Sequence, residues 1–239
     1  MPAFAGKAQD IGRDTMKWIL LDIEGTVSDK RFVHETLFPF ARVRLGAFLA
    51  AHEREPEVAE ALALMREKLQ QPQTGVAAIA RELAHWIDED RKEEPLKSLQ
   101  GLIWREGYQS GVLVSHIYAD VPPAFARWTR AGVRLAIFSS GSIAAQKLLF
   151  AHTSAGDLTP RISAYFDLST GPKHEAASYT RIAKSLDCAP ADVRFYTDAP
   201  KEVAAALAAG MSALLVERDG AIDAPMDWRR IQDFAKETP

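Results

Sequence analysis

The sequence predicts an α/β fold: a doubly wound parallel sheet with an inserted helical cap domain. Three observations carry this reading. The run Trp18-Ile19-Leu20-Leu21 is a short apolar strand that ends on Asp22, and Glu24 follows it. From Val121 onward, apolar strand-like runs alternate with helical patterns, as βαβ units require. Between these two parts lies a long stretch with helical periodicity and no strand-like interruption. The sheet domain is therefore assigned to residues 16–31 and 119–239, the cap to 32–118, and a loose N-terminal tail to 1–15.

Along the cap, Leu37, Phe40, Ala41, Leu45 and Phe48 begin an amphipathic helix with Pro39 in its first turns. Pro56 opens a second helix, which Gln71-Pro72 ends. A third is expected from about Gly75 to Asp90, with Ile79, Leu83, Trp86 and Ile87 on one face. A fourth runs from about Leu96 to Tyr108. Back in the sheet domain, a helix from Ala124 to Ala131 is stopped by Gly132, and Val133 to Phe138 reads as a strand. Ser142 is positioned to cap a helix through Phe150. A strand from Ala164 to Phe166, a helix from His174 to Leu186 and a strand from Val193 to Tyr196 follow. The pattern closes with a helix from Lys201 to Ala209 and a strand from Ser212 to Val216.

Composition removes several function classes. A net charge of -3 gives no electrostatic reason to bind nucleic acid. No apolar run approaches membrane-spanning length. The first ten residues lack the basic and apolar regions of a secretory signal. Cys188 is the single cysteine, so no intrachain disulfide forms, and a cytoplasmic protein is expected. A monomer acting on a small-molecule phosphorylated substrate, with no nucleic-acid or membrane partner, is the matching expectation.

The ends of the strands carry the chemistry, because ligands of open parallel sheets sit beyond the carboxyl ends of the strands. Asp22 and Glu24 share one side of an extended backbone and repel each other unless a cation or a proton intervenes. Ser139-Ser140-Gly141-Ser142 offers hydroxyls and backbone N–H groups to an anion, although the same residues also make an ordinary helix cap. Lys173 precedes a helix, where a cation is misplaced without a nearby anion. Asp198 could cap the following helix, with Glu202 as a first-turn acid. Taken together the groups are a nucleophilic carboxylate, a second acid, a phosphate-binding hydroxyl, a cation and a metal-binding acid. That set suits phosphoryl transfer with magnesium.

These residues resemble the four motifs of the haloacid-dehalogenase superfamily, in order Asp22-Ile23-Glu24-Gly25-Thr26, Ser139, Lys173, and Asp198 with Glu202. Glu24 at the second acid, where most of the superfamily has Asp, is similar to one branch, the enolase-phosphatases of methionine salvage. Phe32-Val33, Leu37-Phe38-Pro39-Phe40-Ala41, Leu99 to Trp104, Asp120-Val121-Pro122-Pro123 and Ala145 to Phe150 extend the likeness. It departs at Val27-Ser28-Asp29-Lys30, where a Thr/Ser run is usual, at Ser115, where glycine is usual, and at Tyr196-Thr197.

The resemblance implies a magnesium-dependent enzyme with one ion per subunit, held by Asp22, Asp198 and the Glu24 position through its carbonyl. Asp22 is implied as nucleophile, Glu24 as general acid–base, and Lys173 as the cation that neutralises Asp22 and phosphate. Ser139 and Ser140, with Lys173, are implied to bind the phosphoryl group. The implied substrate is 2,3-diketo-5-methylthiopentyl 1-phosphate, which is enolised and then dephosphorylated to an acireductone. A phosphatase for another small ester, such as a sugar phosphate, is the alternative. His34, His116 and His152 read as structural.

Overall fold

The computed structural model describes residues 16–91 and 93–238; the expected tail, residues 1–15, lies outside the described residues. The first apolar run forms β1, Trp18–Leu21. After a tight loop and a π-helical turn at Phe32–Leu37 come α1 (Phe38–His52), α2 (Pro56–Lys68), α3 (Val76–Asp88) and α4 (Glu94–Gln109). Then follow α5 (Val121–Arg130), β2 (Arg134–Phe138), α6 (Ile143–Ala151), β3 (Ile162–Phe166) and α7 (Ala176–Ser185). The chain continues through β4 (Val193–Thr197), α8 (Pro200–Ala208), β5 (Ser212–Val216) and a two-residue β6 (Arg230–Ile231).

Among the described residues the strands form one parallel sheet in the order β3-β2-β1-β4-β5-β6. β1 is central, and Leu21 lies level with Ile137 of β2 and Tyr196 of β4. The residues that follow these three positions therefore leave the sheet at one height. Alternation along β1 buries both faces: Ile19 and Leu21 join one apolar cluster with Phe125, Trp128 and Phe150, while Trp18 and Leu20 join another with Tyr179, Ile182 and Val203. Such two-sided burial explains why β1 is apolar throughout rather than alternating.

Helix limits follow local chemistry. α5 starts at Val121, earlier than expected, because Pro122 and Pro123 occupy its first turn, where a missing N–H costs nothing. Its end is as read: Gly132 adopts φ +84°, and the Val133 N–H reaches the Trp128 carbonyl at 3.1 Å. α7 starts at Ala176 rather than His174. The Tyr179 hydroxyl donates to the Lys173 carbonyl (2.7 Å) and the Ser178 hydroxyl to the Pro172 carbonyl (2.8 Å), which keeps this segment in a turn. β6 is too short and too polar to stand out in the sequence.

The four cap helices enclose their own apolar cluster, including Leu45, Leu49, Leu62, Met65, Leu83 and Leu99. A smaller cluster of Phe32, Leu37, Tyr108 and Leu113 joins the cap to the sheet domain. The Trp104 indole N–H donates to the Leu37 carbonyl at 2.8 Å and fixes α4 to the π-helical turn. The returning segment belongs to the sheet side: the Ser115 N–H bonds the His152 carbonyl and the Tyr118 N–H bonds the Val27 carbonyl. Buried Ser115 also donates its hydroxyl to the Tyr108 hydroxyl at 2.7 Å, so the unusual side chain has a partner.

Candidate active site

Asp22 continues the β1–β4 ladder, its N–H bonded to the Tyr196 carbonyl at 3.0 Å, and its carboxylate is buried. A buried carboxylate requires a partner. Lys173 provides one from the loop after β3: its Nζ lies 2.5 Å from Asp22 Oδ1 and 2.9 Å from Glu202 Oε2. The lysine, misplaced before a helix without a nearby anion, thus sits between two, Asp22 and Glu202. Burial alone would lower its pKa, but the charges of Asp22 and Glu202 outweigh that and hold it above its ordinary value.

Glu202, in the first turn of α8, and Thr197, at the end of β4, complete this cluster. Thr197 Oγ1 lies 2.8 Å from Glu202 Oε2 and 3.3 Å from Asp22 Oδ2, and it accepts the Ala199 N–H at 3.2 Å. Burial, then the Asp22 charge, pushes the Glu202 carboxyl up to about 7, against the opposing pull of Lys173 and Thr197. In the sequence Thr197 reads as a departure and Glu202 as a first-turn acid that the resemblance places in motif four with Asp198; their contacts to Lys173 and Asp22 are seen only in the fold.

Asp198 does not cap α8; the cap position is Ala199, which has no side chain able to accept. Its carboxylate turns instead to the motif-one loop, where Oδ2 pairs with Lys30 Nζ. Gly25 makes this approach possible. It has φ +69°, and a Cβ there would overlap both Asp198 Oδ2 and Lys30 Cε. Burial raises the Asp198 pKa, Lys30 opposes the shift, and the Asp22 charge adds to it. Two carboxylates that destabilise each other's charge, beside a glycine-lined loop, suit a small hard cation. Among the described residues no three His, Cys, Asp or Glu side chains form a metal cage. The two carboxylates of Asp22 and Asp198 are hard oxygen donors of the kind magnesium takes.

Glu24 follows Asp22 by two residues. It lies in the tight loop held by Gly25 N–H to Ser28 carbonyl (2.7 Å), and it lines a cavity between cap and sheet domain. Val33, Leu37, Phe38 and Trp104 supply the apolar cap wall, and Ser140 and Leu148 face them. Ser139 is buried after β2, its hydroxyl accepting the Gly141 N–H at 3.3 Å, and Ser142 caps α6 through the Ala145 N–H at 3.3 Å. Gln146 steadies the serine loop by donating to the Gly141 and Phe166 carbonyls. His116 accepts the Asp29 N–H at 3.0 Å and His152 stacks on Tyr108, whereas His34 lines the cavity.

With this geometry in place, the comparisons with known proteins are direct. Residues 16–210 match the family model for haloacid dehalogenase-like hydrolases. Enolase-phosphatase E1 of Sorangium cellulosum is 52% identical over 204 residues, covering 84% of this chain and 88% of that protein. Enolase-phosphatase E1 of Synechococcus elongatus is 48% identical over 228 residues, covering 90% and 95%. The chain belongs to the enolase-phosphatase family of the haloacid dehalogenase-like hydrolases. Among solved structures, the UTR4 protein of Saccharomyces cerevisiae has a TM-score of 0.80 and 31% identity, covering 93% of this chain and 100% of that one. The L-2-haloacid dehalogenase of Xanthobacter autotrophicus, at TM-score 0.53 and 16% identity, shares the hydrolase fold.

Proposed function

We propose that this chain is a magnesium-dependent enolase-phosphatase that converts 2,3-diketo-5-methylthiopentyl 1-phosphate to acireductone and phosphate in one site. One observation carries the reading: Glu24, two residues after the buried Asp22, lines a largely apolar cavity between the cap helices and the sheet domain. A carboxylate beside an apolar wall suits a substrate with a reactive carbon at one end and a thioether tail at the other.

In the enolisation step, Glu24 takes a proton from the carbon bearing the phosphate ester, leaving an enolate, the conjugate base of the enol, at the neighbouring carbonyl. In the second step Asp22 attacks phosphorus in line, the phosphorus–oxygen bond to the enol breaks, and Glu24 returns a proton to the leaving oxygen. Water then cleaves the aspartyl-phosphate, with Glu24 accepting its proton. Lys173 lets two anions approach, and Ser139 and the amides near Ser140 hold the non-bridging oxygens. Asp22, Asp198 and the Glu24 carbonyl would hold magnesium, which would supply charge neutralisation at the phosphoryl group. Glu202 and Thr197 position Lys173 and Asp22. The cap excludes water from the chamber while the enol exists.

No helix among the described residues is long and apolar enough to cross a membrane. A cytoplasmic monomer is part of the same proposal, and sedimentation of the purified protein tests the oligomeric state. The test of function is phosphate release from the diketo phosphate against a panel of sugar phosphates under equal magnesium. Preference for the diketo phosphate, lost on chelation and restored by magnesium, is expected. Preference for sugar phosphates would leave the phosphoryl chemistry standing and remove the methionine-salvage substrate. Full activity in excess chelator would remove the metal.

A further inference from the structure

Lys30 has no part in the chemistry above, yet it touches the proposed metal ligand. Its Nζ pairs with Asp198 Oδ2, and its Cε packs where a Gly25 Cβ would stand. The Asp198 side chain is only 10% exposed, whereas that of Lys30 is 53% exposed. One partner is therefore fixed and desolvated, and the other is a flexible arm with access to water. Lys30 also lies within the Val27-Ser28-Asp29-Lys30 departure and two residues before the π-helical turn that opens the cap.

We propose that Lys30 is a built-in counter-cation for Asp198, which divalent metal must displace from Oδ2 in order to bind. The inference rests on the reading of Asp198 as a metal ligand. In the metal-free protein the ammonium offsets a buried carboxylate that would otherwise stand beside Asp22 uncompensated. When metal arrives, the same oxygen cannot serve both cations at contact distance. The lysine swings into solvent, which its exposure permits, and the lost ion pair is subtracted from the metal's binding free energy. Lys30 thus sets the metal affinity without touching substrate.

The probe is Mn²⁺ alone, titrated into the full chain without substrate and followed by the electron paramagnetic resonance of free ion. Lys30→Met is expected to bind Mn²⁺ about fivefold tighter at low salt, the scale of a partly exposed ion pair, with the gain shrinking as salt screens it. Lys30→Arg, which keeps the charge, should stay near wild type. Asp198→Asn should lose most of the binding. Unchanged or weaker binding by Lys30→Met, while Asp198→Asn still loses it, would overturn the role of Lys30 alone. Wild-type binding by Asp198→Asn would overturn the ligand reading as well. Melting temperature gives a second readout. Lys30→Met should melt below wild type without metal, and the gap should close at saturating Mn²⁺. A gap that Mn²⁺ leaves unaltered would make Lys30 a structural counter-ion only and would also overturn the proposal.

Discussion

The sheet edge and the cap are stabilised by opposite means. At the edge, Asp22, Lys173, Glu202 and Thr197 bury charge against charge, and each depends on its neighbours. The cap buries mostly aliphatic side chains, and its ion pairs, such as Arg42–Asp88, lie half exposed on the surface. Removing one member of a buried charge cluster strands another charge, whereas trimming an apolar wall leaves only less contact. On the function proposed above, the difference separates two tasks: chemistry at the edge and selection by the cap. Substitutions at the two places should therefore fail in different kinetic constants.

The largest expected effect is at the edge. Asp22→Asn keeps the shape of the side chain but not its nucleophilicity, and phosphate release should fall by about a thousandfold or more. The same variant should still exchange solvent deuterium into the carbon bearing the ester, because Glu24 is intact. Residual release within a few-fold of wild type, in protein free of deamidation, would end the covalent mechanism. Next comes Lys173→Ala, which should impair both steps. It should also cost about 3 kcal/mol of stability in metal-free protein, since Asp22 and Glu202 lose a buried partner. Denaturant unfolding measures this, and an unchanged midpoint would mean the cluster relaxes into water.

In the cap, Phe38→Ala should raise KM for the diketo phosphate by about tenfold with little change in kcat, as the loss of apolar contact alone does. A fall in kcat of similar size would show that the wall also positions the reacting carbon, and the division of labour would have to be redrawn. The smallest effect is one of pH. Glu202 is raised from 4.5 to about 7 in the fold, so the folded state keeps a proton the unfolded state has lost across that interval. Stability of metal-free protein should fall as pH rises through the interval and level off above it. Glu202→Gln should flatten that slope, which thermal melts in a pH series would detect. An identical slope in the variant would assign the dependence to other groups.

The comparison also marks what could be read from the chain. Strand ends were legible because β1, β2 and β4 are apolar runs that stop abruptly at polar residues. The cap helices were legible because Leu83, Trp86 and Ile87 recur at helical spacing. The contacts of Glu202 and Thr197 were not, since their partners Lys173 and Asp22 lie far away in the chain and only the order of the sheet brings the ends of β3, β1 and β4 to one edge. Lys30 was noticed as part of an unusual loop, but its pairing with Asp198 depends on the left-handed turn at Gly25. The π-helical turn left no periodic trace, because one extra residue per turn over so short a span resembles any helix start.

The parallel ladder has a last consequence. Asp22 is positioned not by its own side chain but by a count of residues, because β1 is locked to both neighbours from Trp18 to Leu21. Deleting one residue within that stretch would shift the phase of everything after it and send an apolar side chain where the carboxylate now points. The sheet would still find hydrophobic residues for both faces, so such a deletion could spare much of the fold while erasing the site. The catalytic address is thus written in chain length. The loops leading into and out of the cap are not part of that ladder, so a change of length there leaves Asp22 at its place in it.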